Sequence, residues 1–393
     1  MTAIICEYNP FHRGHARHIA RTRSAFPDSP LVCIMSGNFV QRGDAAVLPK
    51  HARAEAALYA GADLVVELPM PYAVAGAQGF AGGAVAVAAA LGVDTLSFGS
   101  ESGDLDGIRR TAALLEREDF KTLLKTALGT GISFAAARAA VVRVLEPELE
   151  RYLSTPNDIL AVEYCCAAQK AGIGLYAVPR TGAGHDEPDA RGDSLSASAL
   201  RARLREGRAD AAAFMPAYAD AIVQHEIAAG RAPVSADALD RVMLAGLREL
   251  SPEGFARFSD ATEGLENRLW RAVRESGTMA AACAAAKTKR YPYARIRRAY
   301  WNAFLRIPAP YCREEPPFVR VLGLTPAGGA VLARCRLPVL TKPAKETLLP
   351  PRAREWFALD ERAGDLYALA FPKEENRAAG YEKRCSPVYV DRS

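Results

Sequence analysis

The chain has 393 residues, half of them hydrophobic, with 50 Lys and Arg against 45 Asp and Glu for a net charge of +5. That composition excludes a largely disordered chain, and at about 100–200 residues per domain it predicts two or three domains. A charge surplus so small does not by itself imply nucleic acid, so the distribution of the charge has to decide.

No apolar run approaches the ~18 residues of a membrane span. The opening segment MTAIICEYNP has neither a basic n-region nor a long apolar core, so a secretory signal is not expected. The eight cysteines (Cys6, Cys33, Cys165, Cys166, Cys283, Cys312, Cys335 and Cys385) form no C-x-x-C and no Cys/His cluster with zinc spacing. The expectation is a reduced, cytoplasmic protein without a structural metal.

Up to about residue 205, short apolar runs alternate with helical patterns, which predicts βαβ units and a parallel sheet. Strands are expected at Ala3–Glu7, Leu31–Met35, Leu64–Leu68, Thr95–Phe98 and Leu175–Val178. Helices are expected at Gly14–Arg23, Lys50–Ala60, Gly76–Leu91, in two or three pieces over Ile108–Arg143, at Asp158–Ala171, and from Ser196 to about Glu206. After Gly207 the texture changes. Segments such as AAAFMPAYADAIVQHEIAAG and SADALDRVMLAGLREL read as amphipathic helices, and the proline-rich tail suggests a strand, a turn and a short helix in PPFVRVLGLTPAGGAVLARC. A catalytic unit over 1–207 and a mainly helical unit over 208–393 with a mixed tail follow as the expected organisation.

The first strand runs directly into Glu7-Tyr8-Asn9-Pro10-Phe11-His12-Arg13-Gly14-His15, an H-x-G-H element that opens the first helix. A helix N-terminus offers free N–H groups and partial positive charge, and two imidazoles three residues apart can both face phosphates there. Gly14 removes a side chain where a nucleotide must come close, and Pro10 shapes the turn. His12 and His15 beside an α-phosphate can donate to its developing charge. The structural alternative is a pair of capping or core histidines. Ser196-Ala197-Ser198-Ala199-Leu200-Arg201 starts a later helix, and Ser196, Ser198 and Arg201 form a candidate second phosphate clamp; a serine cap with a surface arginine is the alternative.

Ser36-Gly37-Asn38-Phe39-Val40-Gln41-Arg42-Gly43-Asp44 follows the second strand, where ligands of open parallel sheets bind. Asn38 and Gln41 offer amides. Arg42, Lys50 and Arg53 offer cations for phosphate or RNA, or are solvated helix residues. Glu67 ends the third strand, either at the pocket edge or in a buried ion pair. Far downstream, residues 287–301 carry Lys287, Lys289, Arg290, Arg295, Arg297 and Arg298, no acid, and four aromatics, Tyr291, Tyr293, Tyr300 and Trp301. Cations interleaved with π faces suit phosphates and unstacked bases, so this is the candidate RNA-binding stretch; a charged helix face packed on the first domain is the alternative.

EYNPFHRGH, MSGNFVQRGDAAVLPKHARAEAAL, GADLVVELP, LGVDTLSFGSES, PNDILAVEY, VPRTGAGHDEP, SASALR and KTKRYPYARIRRA, in that order, resemble the tRNA(Met) cytidine acetate ligase family, an offshoot of the HIGH-type nucleotidyltransferases. The resemblance implies an α/β fold, a HIGH-type nucleotidyltransferase domain with a Rossmann-like parallel sheet, followed by a mainly α-helical C-terminal domain. It implies ATP and acetate as substrates, acetyl-adenylate as intermediate, and acetyl transfer to N4 of the wobble cytidine of elongator tRNA(Met). Carried onto this chain, the family's ATP-binding residues fall on Ile5, Cys6, Glu7, Tyr8, Asn9, Pro10, Phe11, His12, Gly14, His15 and His18, then on Gly99, Asn157, Asp158 and Arg180. Asp158 stands where the family usually has Asn; an ionised Asp only accepts, whereas Asn also donates. Gly182-Ala183-Gly184-His185 lacks the Tyr that usually precedes the His. Magnesium is expected to arrive with ATP, since no carboxylate cage is evident. Two other readings remain at this point: an adenylyltransferase acting on a small phosphorylated cofactor precursor, and a non-enzymatic ATP-sensing RNA-binding module.

Overall fold

The computed structural model describes residues 1–180 and 195–392. Five parallel strands form the centre: β1 (Thr2–Cys6), β2 (Leu31–Ser36), β3 (Leu64–Leu68), β4 (Thr95–Ser100) and β5 (Gly174–Pro179). All are apolar and short, and their period of two sends alternate residues to opposite faces. Ala3, Val32, Ile34 and Val66 join a core with helices α3 (Ala77–Leu91) and α4 (Pro156–Ala171). Ile4, Cys33, Met35 and Val65 join the core of the other face, with α1 (Arg13–Ala25), α2 (Lys50–Tyr59) and α5 (Ala197–Arg205). The expected helical region 108–143 is three helices, Leu105–Glu116, Glu118–Gly129 and Phe134–Leu145.

The eight-stranded sheet has the order β8-β6-β3-β2-β1-β4-β5, with β7 beside β6. The last three strands, β6 (Val319–Leu324), β7 (Val339–Leu340) and β8 (Val388–Tyr389), come from the tail, and β6 runs antiparallel to β3. The mixed tail of the expected second unit therefore adds three strands to the sheet of the first, and the two parts share one sheet. The strand in PPFVRVLGL was legible from its pattern, but its partner, some 255 residues upstream, was not. An 18-residue helix, α7 (Pro351–Ala368), which was not expected, covers this edge of the sheet.

Between α5 and β6 the chain is helical, ending in α6 (Tyr293–Leu305). Phe255, Leu269, Tyr300 and Phe304 of this part share a core with Phe39, Ala45, Met70 and Val74 of the first part. The link is a small hairpin, Phe39–Val40 paired with Asp44–Ala45, formed by the loop after β2. No helix among the described residues is long and apolar enough to cross a membrane.

Candidate nucleotide site

From β1 the chain steps outward to β2 and β3, then returns to place β4 on the other side of β1. In open parallel sheets such a switch leaves a crevice beyond the strand ends. A cleft of about 740 Å³ opens here. Among the described residues its lining carries eight arginines and three histidines against two carboxylates, Glu7 and Asp44. This is a local anion trap in a chain of near-neutral composition.

Both motif histidines lie in it, and they cap their own helix. His12 is the N-cap of α1; its Nδ1 accepts from the Gly14 N–H at 3.0 Å, and His15 Nδ1 accepts from the His12 N–H at 3.3 Å. A ring nitrogen that accepts is unprotonated, which places the ring proton of each of these histidines on Nε2. The rings stack at 3.7 Å between centroids. Burial, and then the neighbouring His12, Arg180 and His18 side chains, hold the His15 imidazole well below the ordinary histidine range. Burial likewise pulls His18 down to about 4. Both rings thus cap α1 and line the cleft. Gly14 has a further reason: a Cβ there would lie 2.8 Å from His12 Cε1, so the glycine clears room for the capping ring.

Ser196 is the N-cap of α5, with Oγ accepting from the Ala199 N–H at 3.2 Å, and it lines the cleft together with exposed Ser198. Arg201 donates to the Asn9 carbonyl at 2.8 Å, tying α5 to the H-x-G-H loop. Two helix N-termini and their basic residues thus converge on the same space. Ile5, Cys6, Glu7, Tyr8 and Asn9 line the cleft, as do Gly99, Asn157 and Arg180.

Three expected nucleotide contacts are corrected. Pro10, after a cis Asn9–Pro10 bond, and Phe11, packed on Tyr8, His15 and Tyr218, shape the loop from behind and do not line the cleft. Asp158 is buried and does not line it either. Its carboxylate accepts from Ser100 Oγ and from the N–H groups of Glu101 and Ser102, all donors, which is why an acceptor-only side chain fits this position. Glu101 answers from the other side, accepting from the Asn157 amide and the Asp158 N–H at the start of α4. Gly182 to His185 lie outside the described residues.

The basic segment is also divided. Arg297 and Arg298 on α6 reach the cleft, where Arg297 pairs with Asp44 at 3.2 Å and Arg298 with Asp260 at 2.8 Å. Arg42 lines the cleft from the hairpin. Lys287, Lys289 and Arg290 are exposed on the approach to α6. Arg295, by contrast, is bound to Glu263 and to the carbonyls of Asp260 and Thr262. Of the four aromatics, Tyr291, Tyr300 and Trp301 are core residues and only Tyr293 is exposed.

Lys50 and Arg53 are corrected outright: neither is a solvated cation nor an RNA contact. Lys50 Nζ bonds both oxygens of Glu67 at 2.8 and 2.7 Å and also Glu382, in a buried group completed by Arg320. Glu67 is accordingly the buried ion-pair partner. Arg53 is fully buried and donates to the carbonyls of Glu7, Ser36, Gly37 and Leu48, fastening the ends of β1 and β2 together.

Residues 1–382 match the family described as HIGH Nucleotidyl Transferase. The chain is 35% identical to the tRNA(Met) cytidine acetate ligase of Syntrophomonas wolfei and 34% identical to that of Fervidobacterium nodosum, over 98% and 96% of both chains. A crystal structure of apo Thermotoga maritima TmcAL superimposes with a TM-score of 0.93 at 32% identity, covering 99% of each chain. Another, bound with alpha-thio ATP, gives 0.91 at 31% identity and the same coverage. The chain belongs to the tRNA(Met) cytidine acetate ligase family.

In this member of the ligase family several cleft residues escaped sequence reading. Arg17 and Arg21 follow the H-x-G-H element at helical spacing along α1, and Arg205 follows Arg201 one turn on; this periodicity was the available signal. Phe80, Leu160 and Tyr164 line it from α3 and α4, and nothing local distinguishes them from core residues. Among the described residues no group of three His, Cys, Asp or Glu could hold a metal. Both cleft carboxylates are engaged, Glu7 by the Gln41 N–H at 2.8 Å and Asp44 by Arg297. These donors do not fit a protein-held ion.

Proposed function

We propose that this chain is the ATP-dependent ligase that joins acetate to N4 of the wobble cytidine of elongator tRNA(Met), acting in the cytoplasm. The observation that carries the reading is the cationic cleft between the paired Nε2–H donors of His12 and His15 and the N-terminus of α5. It stands in a chain that aligns end to end with a protein crystallised with an ATP analogue. In this reading ATP lies across the ends of β1 and β4. An acetate oxygen attacks the α-phosphorus, the bond to the bridging oxygen breaks, and pyrophosphate leaves with the electron pair. His12, His15, Ser196, Ser198 and Arg201 hold the developing charge, and positioning supplies most of the rate. The cytidine amine then attacks the acetyl carbon, AMP departs, and the N4 proton is lost. This step needs an exposed base, which an anticodon loop provides. Arg42, Arg297 and Arg298 at the rim, with Lys287, Lys289 and Arg290 beyond it, take the tRNA backbone, so the helical part beyond residue 207 serves as the tRNA side of the molecule.

The test is one reaction with purified protein, ATP, labelled acetate and an elongator tRNA(Met) transcript. Digestion and mass spectrometry should find label in N4-acetylcytidine at the wobble base, and none without ATP. Acetate-dependent pyrophosphate release without labelled tRNA would point to another acceptor. Neither signal, with ATP still bound, would overturn the ligase reading.

A further inference from the structure

The cleft has two chemically unlike sides, and they lie on opposite faces of the sheet. The phosphate-facing groups belong to α1 and α5, whose cores are shared with Ile4 and Cys33. The other face, shared with Ala3 and Val32, carries α3 and α4, and from it Phe80, Leu160 and Tyr164 reach the cleft. Glu7, at the end of β1, stands between the two. Gln41 joins it to this second side, with its N–H on Glu7 Oε1 at 2.8 Å and its side-chain amide on the Ala75 carbonyl at 3.3 Å, just before α3. Displacement at phosphorus places attacking and leaving oxygens in line. With pyrophosphate held on the α1–α5 face, the attacking acid must come from the α3–α4 face.

We infer that the recess bounded by Glu7, Gln41, Phe80, Leu160 and Tyr164 is the acyl subsite, which admits a short carboxylic acid with its alkyl end against Phe80 and Leu160. The inference rests on the ligase reading above. Phe80 is 2% exposed and Tyr164 6%, so two of its walls are fixed by core packing. The Tyr164 hydroxyl has no hydrogen-bond partner among the described residues, although the side chain is more than nine-tenths buried and lines the cleft. It is a donor waiting for a carboxylate oxygen. Burial raises this phenol, so it keeps its proton, and burial also raises the Glu7 carboxyl.

The experiment is acid-dependent ATP–pyrophosphate exchange with acetate, propionate and butyrate, which needs no tRNA. Leu160→Ala should raise the propionate-to-acetate ratio of kcat/KM by about 10-fold or more, the scale of one methylene, and Leu160→Phe should lower it. Tyr164→Phe should raise the acetate KM about 10-fold and leave the ratio in place. Because each ratio is taken within one enzyme preparation, partial unfolding does not move it. An unchanged ratio in both Leu160 variants, with wild-type exchange intact, overturns the subsite. A wild type that shows no acetate-dependent exchange overturns the ligase reading, and the subsite with it.

Discussion

Gly14→Ala isolates what the H-x-G-H glycine does. The added Cβ would sit 2.8 Å from His12 Cε1 and 3.0 Å from its Nδ1. That is about 0.7 Å short of an ordinary carbon contact of ~3.5 Å, so the ring must move and its bond to the Gly14 N–H is lost. Losing the cap costs about 1 kcal/mol. Replacing a helical glycine by alanine returns up to about 1 kcal/mol. Net stability therefore changes little, and Tm should move by no more than about 4 °C. Catalysis is affected differently: in the proposed mechanism a displaced His12 no longer presents its Nε2–H to the α-phosphate, and removing one such donor costs about 100-fold or more in kcat. The assay is acetate-dependent ATP–pyrophosphate exchange with a melting curve on the same preparation, for Gly14→Ala, His12→Ala and the double variant. If the glycine serves the ring, the double variant is no slower than His12→Ala alone. Additive losses would show that the glycine makes room for the nucleotide instead and would refute the ring argument, as would a single Gly14→Ala variant within threefold of wild type.

Lys50→Met removes one of the two cations, with Arg320, from the buried carboxylates Glu67 and Glu382, and should cost about 3–5 kcal/mol in a urea titration; a loss of tRNA affinity at unchanged stability would contradict its burial. Replacing Lys287, Lys289 and Arg290 with Ala should weaken tRNA binding and flatten its dependence on log salt by about 0.7–0.9 per charge, whereas Arg295→Ala should lower stability and leave that slope in place. His18 is held down to about 4 when folded and titrates near 6.5 when unfolded, so between these values only the unfolded chain takes the proton. Its contribution to stability is full above 6.5 and is lost as pH falls toward 4; His18→Gln should flatten that fall, and an unchanged slope would refute the assignment.

Much of the α/β part was legible because its signals are local. The run Leu64–Leu68 is a strand with the expected bounds, and α1, α2, α3 and α4 begin and end within two residues of where periodicity, proline and glycine place them. The H-x-G-H and Ser196 elements meet in one cleft for the same reason, since a strand end and a helix start locate a side chain without any distant information. What failed was what depends on distant partners. Lys50 reads as a solvated helix residue until Glu382, 332 positions on, is folded against it. Arg53 reads as a phosphate cation until four carbonyls are found around it. The stripe of α6 reads as interleaved aromatics for RNA, yet Tyr300 and Trp301 face the helical core and only the arginine edge reaches the cleft. Phe80 and Tyr164 show the same limit in reverse: a residue at a cavity wall and one in a core have the same apolar text.

The hairpin after β2 explains why the adenylating cleft and the basic segment need each other. Gly43 turns with φ of +68°, and a Cβ there would lie 2.9 Å from the Arg298 amide nitrogen, so the turn seats directly on the α6 backbone. One residue later Asp44 pairs with Arg297, while on the other arm Gln41 grips Glu7 at the end of β1. A single seven-residue loop therefore spans from the strand that launches the H-x-G-H element to the helix that carries the rim arginines. In the proposed reading, a shift of α6 on tRNA contact would be passed to Glu7 through this short, half-buried path. The physical consequence is that tRNA binding and the acyl end of the cleft share one mechanical element, so a substitution at Gly43 should disturb acetyl transfer and adenylation together, whereas an exposed change at Lys289 should disturb transfer alone.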